Sequence, residues 1–233
     1  MKDLRVATVG AVCAILTTVV FVIGIAFMAT SGVQVLIPDA GKVDEWIGDV
    51  DDAGGLFFVG AWLVILGGLF GLVALVGFYD ALRNASPALI IAPVAGVSGL
   101  VLVTISHLIP IAMAYEVVPS YVDATGATKE SVLATGDAFG ILALLTNYVG
   151  DALGWVVAVP LYGWAVLRTG LLPKWIGWLG VVVGAFALIG LLGPASSVAE
   201  GLTFPGFVGF FVWMAAMGIT LLRRRNRLET APL

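Results

Sequence analysis

The sequence predicts an all-α polytopic membrane protein, a single helical bundle over residues 1–233 with six transmembrane helices. Three observations carry that expectation. The chain is 61% hydrophobic and only 11% charged, whereas soluble domains carry about 25% charged residues. It could not keep a water-facing surface. Its apolar runs, near residues 6–30, 56–82, 88–109, 144–167, 175–192 and 204–222, approach the ~20 residues that cross ~30 Å of hydrocarbon. Its cations, finally, fall almost entirely at one set of helix ends.

Residues 6–30 follow Lys2 and Arg5, as a signal peptide would. The run exceeds the ~7–15-residue core of a signal, so it is read as a retained first helix. Residues 31–55 form an acidic connection with Asp39, Asp44, Glu45, Asp49, Asp51 and Asp52. Within it Val43, Trp46, Ile47 and Val50 recur at i, i+3, i+4, i+7. That is an amphipathic helix, expected on the membrane surface with Trp46 at headgroup level. The acids could bind a cation, but no calcium-loop spacing is present and a solvated face explains them as well.

The second helix ends at Tyr79-Asp-Ala-Leu-Arg83, and Pro87 opens the third, where its missing N–H costs nothing. Pro93 and Pro110 are expected kinks in it. Residues 116–131, with Pro119, Asp123, Lys129 and Glu130, read as a second polar connection. Residues 132–145 read as a surface helix leading into the fourth span, where Pro160 predicts a kink. A tight turn at Thr169–Lys174 leads to a fifth helix rich in Gly and Ala, which suits close helix approach in lipid. Residues 193–203 return the chain to the sixth.

Six spans put both termini on one side. Lys2, Arg5, Arg83, Arg168, Lys174, Arg223, Arg224, Arg225 and Arg227 then share that side, and only Lys42 and Lys129 lie opposite. The positive-inside rule makes the termini cytoplasmic and places the two long acidic connections outside the plasma membrane. Trp164, Trp175 and Trp178 then line the inner interface. The turns Leu82-Arg83…Pro87 and Leu167-Arg168…Pro173 match in outline. Either a two-helix hairpin was duplicated, or two unrelated hairpins converged on one topogenic pattern.

This layout resembles the bacterial and archaeal membrane proteins grouped as domain of unknown function 4386. The resemblance rests on the amphipathic segment before Gly55-Leu-Phe-Phe, the exit Phe78-Tyr-Asp-Ala-Leu-Arg83, and above all Val166-Leu-Arg-Thr-Gly-Leu-Leu-Pro-Lys-Trp-Ile-Gly177. It implies a six-helix integral membrane fold and carries no activity to any residue.

The chemistry-bearing candidates are few. Asp151 lies within an apolar run, where ionisable groups are costly and face a partner or a cavity. His107, the single histidine, is its best candidate partner. At 1.5 Å per residue His107 stands roughly 30 Å beyond Ala88, and Asp151 roughly 25 Å from Arg168, so both fall in the outer leaflet. Asn147 is one turn outward from Asp151, and Thr104 about one turn inward from His107. The pair could relay protons, anchor a ligand or gate, or could simply clamp two helices as interhelical hydrogen bonds do.

Asp137 and Glu116 complete the acids near the outer mouth. With one histidine and no ligand spacing, a zinc site is poorly supported. Haem would need His107 with Met113 or a ligand from another chain. No span contains a lysine, which excludes a retinal Schiff base, and Pro194-Ala-Ser-Ser197 reads as a turn rather than a nucleophile motif.

There is no phosphate loop, no cofactor can be named, and nucleic acid is not an expected partner. A coupled transport path would have to use Gly backbone with Thr17, Thr18 and Ser98. The expectation is therefore a non-enzymatic protein, embedded in the lipid bilayer, that binds a small molecule, lipid or partner subunit, including a second copy, at His107, Asp151, Asn147, Thr104, Asp137 and Glu116. A small transporter or channel is the first alternative and a metal-dependent membrane enzyme the second.

Overall fold

A computed structural model describes residues 3–33, 36–39, 41–192 and 197–229. The described residues are helical throughout, joined by short turns and without strands. Eight α-helices follow in chain order: α1 (Asp3–Thr30), α2 (Val43–Ala53), α3 (Gly55–Leu82), α4 (Ile91–Asp123), α5 (Gly126–Asp151), α6 (Val159–Thr169), α7 (Lys174–Gly190) and α8 (Ser197–Glu229). Two 3₁₀ turns, Arg83–Ala85 and Pro87–Ile90, link α3 to α4, and a π-helical segment, Ala152–Ala158, joins α5 to α6. Five stretches are long and apolar enough to cross a membrane: Val6–Thr30, Gly55–Ala85, Pro87–Asp123, Gly126–Thr169 and Phe204–Arg224. The remaining apolar helix, Lys174–Gly190, has 17 residues.

Three expectations are corrected. The second polar connection is helix: α4 runs on to Asp123 through Pro110 and Pro119, and only Ala124 and Thr125 separate it from α5. Residues 132–145 are accordingly no separate surface helix but the middle of α5. Residues 197–203 belong to α8, while 193–196, and with them most of the Pro194–Ser197 turn, lie outside the described residues.

The irregularity expected at Pro160 takes the form of the π segment just before it. Pro160 has no N–H for the Val156 carbonyl and its ring would meet that carbonyl in a regular helix. Widening the turn relieves both problems, and the Val159 N–H instead reaches Gly154 O, five residues back. Arg83 and Arg168, which looked alike, are followed by different turns. The first runs through 3₁₀ structure to Ser86, whose hydroxyl accepts from the Ala88 N–H. The second ends on Gly170 at φ +60, whose N–H caps Val166 O. The local geometry gives no support to a duplicated hairpin.

The chain forms two compact units. The first comprises Met1–Val19, Leu69–Val101 and Gly150–Leu233. Here α1 and α3 run antiparallel at backbone contact: a Cβ on Gly10 would lie 2.5 Å from Gly77 Cα. A Cβ on Gly99 of α4 would lie 2.5 Å from Gly154 N in the π segment. Helices α6, α7 and α8 pack in succession, and α8 returns to α1, where Thr18 Oγ1 lies 3.3 Å from Phe211 O. Lipid chains are as apolar as leucine, so close approach and dispersion, rather than escape from water, hold such helices together. Phe78, Tyr162 and Trp213 fill the interior with edge-on contacts at 5.6–6.0 Å from Phe78. The Tyr162 hydroxyl donates to Leu75 O at 2.7 Å, tying α6 to α3.

The second unit comprises Val20–Gly68 and Leu102–Val149. Its core joins α2 to α1, α3 and α4 through Met28, Val43, Trp46, Ile47, Val50, Phe57 and Ile111. The amphipathic periodicity of α2 is therefore real, but protein covers its apolar face. Trp46 is 3% exposed and meets Phe57 edge-on at 6.0 Å, so protein rather than lipid covers its ring. The acids Asp44, Glu45, Asp49, Asp51 and Asp52 stay exposed.

Candidate functional site

Within the second unit, Ser106 of α4 and Asn147 of α5 meet at one step, with His107 next to Ser106 in the chain. Antiparallel packing sets their register: Gly136 of α5 faces Val117 and Met113 of α4, and farther along Asn147 meets Ser106. Ser106 is wholly buried. Its Oγ lies 2.7 Å from Val103 O and 3.1 Å from Asn147 Oδ1. A hydroxyl has one proton, and the shorter contact takes it. The Asn147 amide can turn over so that its NH₂ donates to Ser106 Oγ, an assignment that heavy-atom positions leave open.

Pro110 adds to the polarity of this step. It stands four residues after Ser106 and has no N–H, so the Ser106 carbonyl loses its usual helical donor. Groups freed in this way in apolar surroundings are met by neighbouring side chains, water or a ligand. His107 is the next residue, half-buried, and its imidazole makes no hydrogen bond or ion pair among the described residues. One turn of α4 thus presents a freed backbone acceptor, a buried hydroxyl and an imidazole able to donate and accept.

Of the other candidates, Glu116 and Asp137 stand well apart from this step along their helices. Thr104 faces a different helix: a Cβ on Gly68 of α3 would lie 3.2 Å from its Oγ1. Glu116 is exposed on α4, about 14 Å along the helix from His107. Asp137 is half-buried on α5, about 15 Å along it from Asn147, beside Gly136 where α5 meets Val43 of α2. Asp151 is half-buried at the end of α5 and belongs to the first unit. Among the described residues no three of His, Cys, Asp and Glu come together as metal ligands. Ser106 was absent from the sequence-derived candidates. Its signal was available: a hydroxyl beside the only histidine, four residues before a proline.

The hydroxyls that a transport path would use are partly committed. Thr17 Oγ1 donates to Cys13 O at 2.9 Å, and Thr18 Oγ1 lies within reach of Ala14 O and Phe211 O. Neither needs a solute to satisfy it.

A family model described as Domain of unknown function (DUF4386) matches residues 9–218. The chain belongs to that family. The match covers all the helices that hold the step around Ser106. No curated protein and no solved structure matches the chain. The DUF4386 assignment, with the five long apolar helices, makes this an integral, multi-pass membrane protein.

Proposed function

We propose that this DUF4386 protein is a non-enzymatic receptor or scaffold of the plasma membrane that binds a small molecule or lipid headgroup at the α4–α5 step formed by Ser106, His107 and Asn147. The observation that carries the reading is the adjacency of an unpartnered imidazole and a carbonyl released by Pro110, on a turn whose hydroxyl already ties α4 to α5. An all-structural role would need Ser106 and Asn147 alone. Asp137 and Glu116 are at most peripheral to it, and Asp151 is a second polar point, one turn along α5 from Asn147.

The topology belongs to the same proposal. Helix α7, at 17 residues, meets the lower end of the ~17–25-residue range for a span, which supports six crossings. The cation distribution supports cytoplasmic termini, with α2 and the α4–α5 turn outside.

The test is thermal unfolding of the purified full chain in detergent against a panel of lipids and polar metabolites. Some member should raise the midpoint of the wild type and leave His107→Ala unmoved. Equal shifts in wild type and His107→Ala for every compound would remove the step from the account.

A further inference from the structure

The first unit carries an unneutralised cationic and aromatic surface at the α6–α7 turn. Arg168 and Lys174 are exposed and make no ion pair among the described residues. The Arg168 guanidinium carbon stands 5.2 Å from the Trp164 ring centroid, which holds it over the helix surface. Trp175 and Trp178, three residues apart on α7, are 55% and 59% exposed. Other cations of the unit gather at the same end. The Arg83–Ala85 turn packs against α6. Gly218 of α8 meets Ala11 of α1, which brings the exposed Arg223 and Arg224 to where α1 begins and α3 ends. Of the acids at this end, Asp80 lies 3.3 Å from Arg83, and Asp3 and Glu229 stand at the first residue of α1 and the last of α8.

We propose that Arg168 and Lys174 hold the phosphate of an anionic phospholipid whose glycerol and upper acyl chains lie along Trp175 and Trp178. The argument is charge complementarity joined to depth. Guanidinium and ammonium groups pair with phosphate, basic residues at helix ends recruit anionic headgroups, and exposed tryptophans sit at the level where headgroup meets chain. Arg168, already oriented by Trp164, loses less freedom on binding than a free arginine would. This site shares no residue with the one around His107, and it does not depend on which side of the membrane this end faces.

Native mass spectrometry of the full chain in detergent, titrated separately with phosphatidylglycerol and phosphatidylcholine, tests it. Wild type should retain phosphatidylglycerol preferentially. The double variant Arg168→Gln/Lys174→Gln should lose that retention by roughly 10–30-fold. Arg223→Gln/Arg224→Gln, which removes equal charge from the same end, should change it by less than about 3-fold. Variants are compared only after eluting as the same monodisperse species with unchanged midpoints in the absence of lipid. Equal losses in the two double variants would mean diffuse attraction and overturn the proposal, as would equal retention of the two lipids. Displacement of the lipid by millimolar inorganic phosphate would reassign the site to free anions and likewise overturn it.

Discussion

The two units of this protein solve the same problem in opposite ways. In the first, helices meet where side chains are absent: Gly10 against Gly77, and Gly99 against Gly154, leave no room for a methyl group. In the second, the acidic helix α2 is docked by large side chains, with Trp46, Ile47 and Val50 buried on α3 and α4. The α1–α3 seam is tight in both, since a Cβ on Gly24 would lie 2.8 Å from Gly60 O. The contrast therefore lies in what surrounds that seam. Lipid offers no hydrophobic drive between helices, so backbones must approach closely. A helix whose other face carries exposed acids, as α2 does, can still gain by hiding its apolar face. The first unit should be intolerant of added volume, the second of lost volume.

The largest effect should come from Gly99→Leu. Its Cβ alone would be 2.5 Å from the Gly154 backbone nitrogen, and no monodisperse protein should be recovered after solubilisation. Gly99→Ala should cost roughly 1–3 kcal/mol, as overpacking does, read as a lowered unfolding midpoint. Normal recovery of both variants would show that the π segment yields freely.

Next comes Trp46→Ala. Truncating a fully buried tryptophan costs about 3–5 kcal/mol, and here that should release α2. Hydrogen exchange over residues 43–53 should accelerate strongly while α6 and α7 stay protected. Unchanged exchange in 43–53 would mean that lipid, rather than Phe57, holds the helix. Smaller again is the hydrogen bond across α4 and α5. Membrane double-mutant cycles average ~0.6 kcal/mol, and the Ser106→Ala/Asn147→Ala cycle should give a coupling of that order, against zero if the two side chains do not interact. The smallest change should be a gain. Gly48 sits mid-helix in α2 with nothing near its missing Cβ, so Gly48→Ala should stabilise the second unit by up to ~1 kcal/mol.

The helix-forming content was legible because it depends on one-dimensional quantities. The apolar runs, the i, i+3, i+4, i+7 spacing in α2 and the family motif at Val166–Gly177 need no partner to be recognised. What covers a face is not written in that face. Trp46 has the pattern of a lipid-facing residue, and only the position of Phe57 shows that protein covers it. The second polar connection was misread because Pro119 and the acids signal a loop in water. In α4 the helix continues through Pro119, with the Ser120 hydroxyl donating to Glu116 O. At the candidate site the sequence singled out His107 and Asp151 by depth, and Asn147 as one turn from Asp151. It passed over Ser106 because the consequence of Pro110 for a carbonyl four residues back appears only once the helix is known to continue. The scattering of Thr104, Glu116 and Asp137 follows from azimuth and rise, which depth alone does not encode.

The most direct measurement is a high-resolution map of the full chain purified in its native lipids, inspected at α4 and α5. The account predicts non-protein density within about 3 Å of a His107 ring nitrogen, hydrogen-bond reach, extending towards the Ser106 carbonyl. Acyl-chain density lying flat across the imidazole, with no polar feature at that carbonyl, would contradict it.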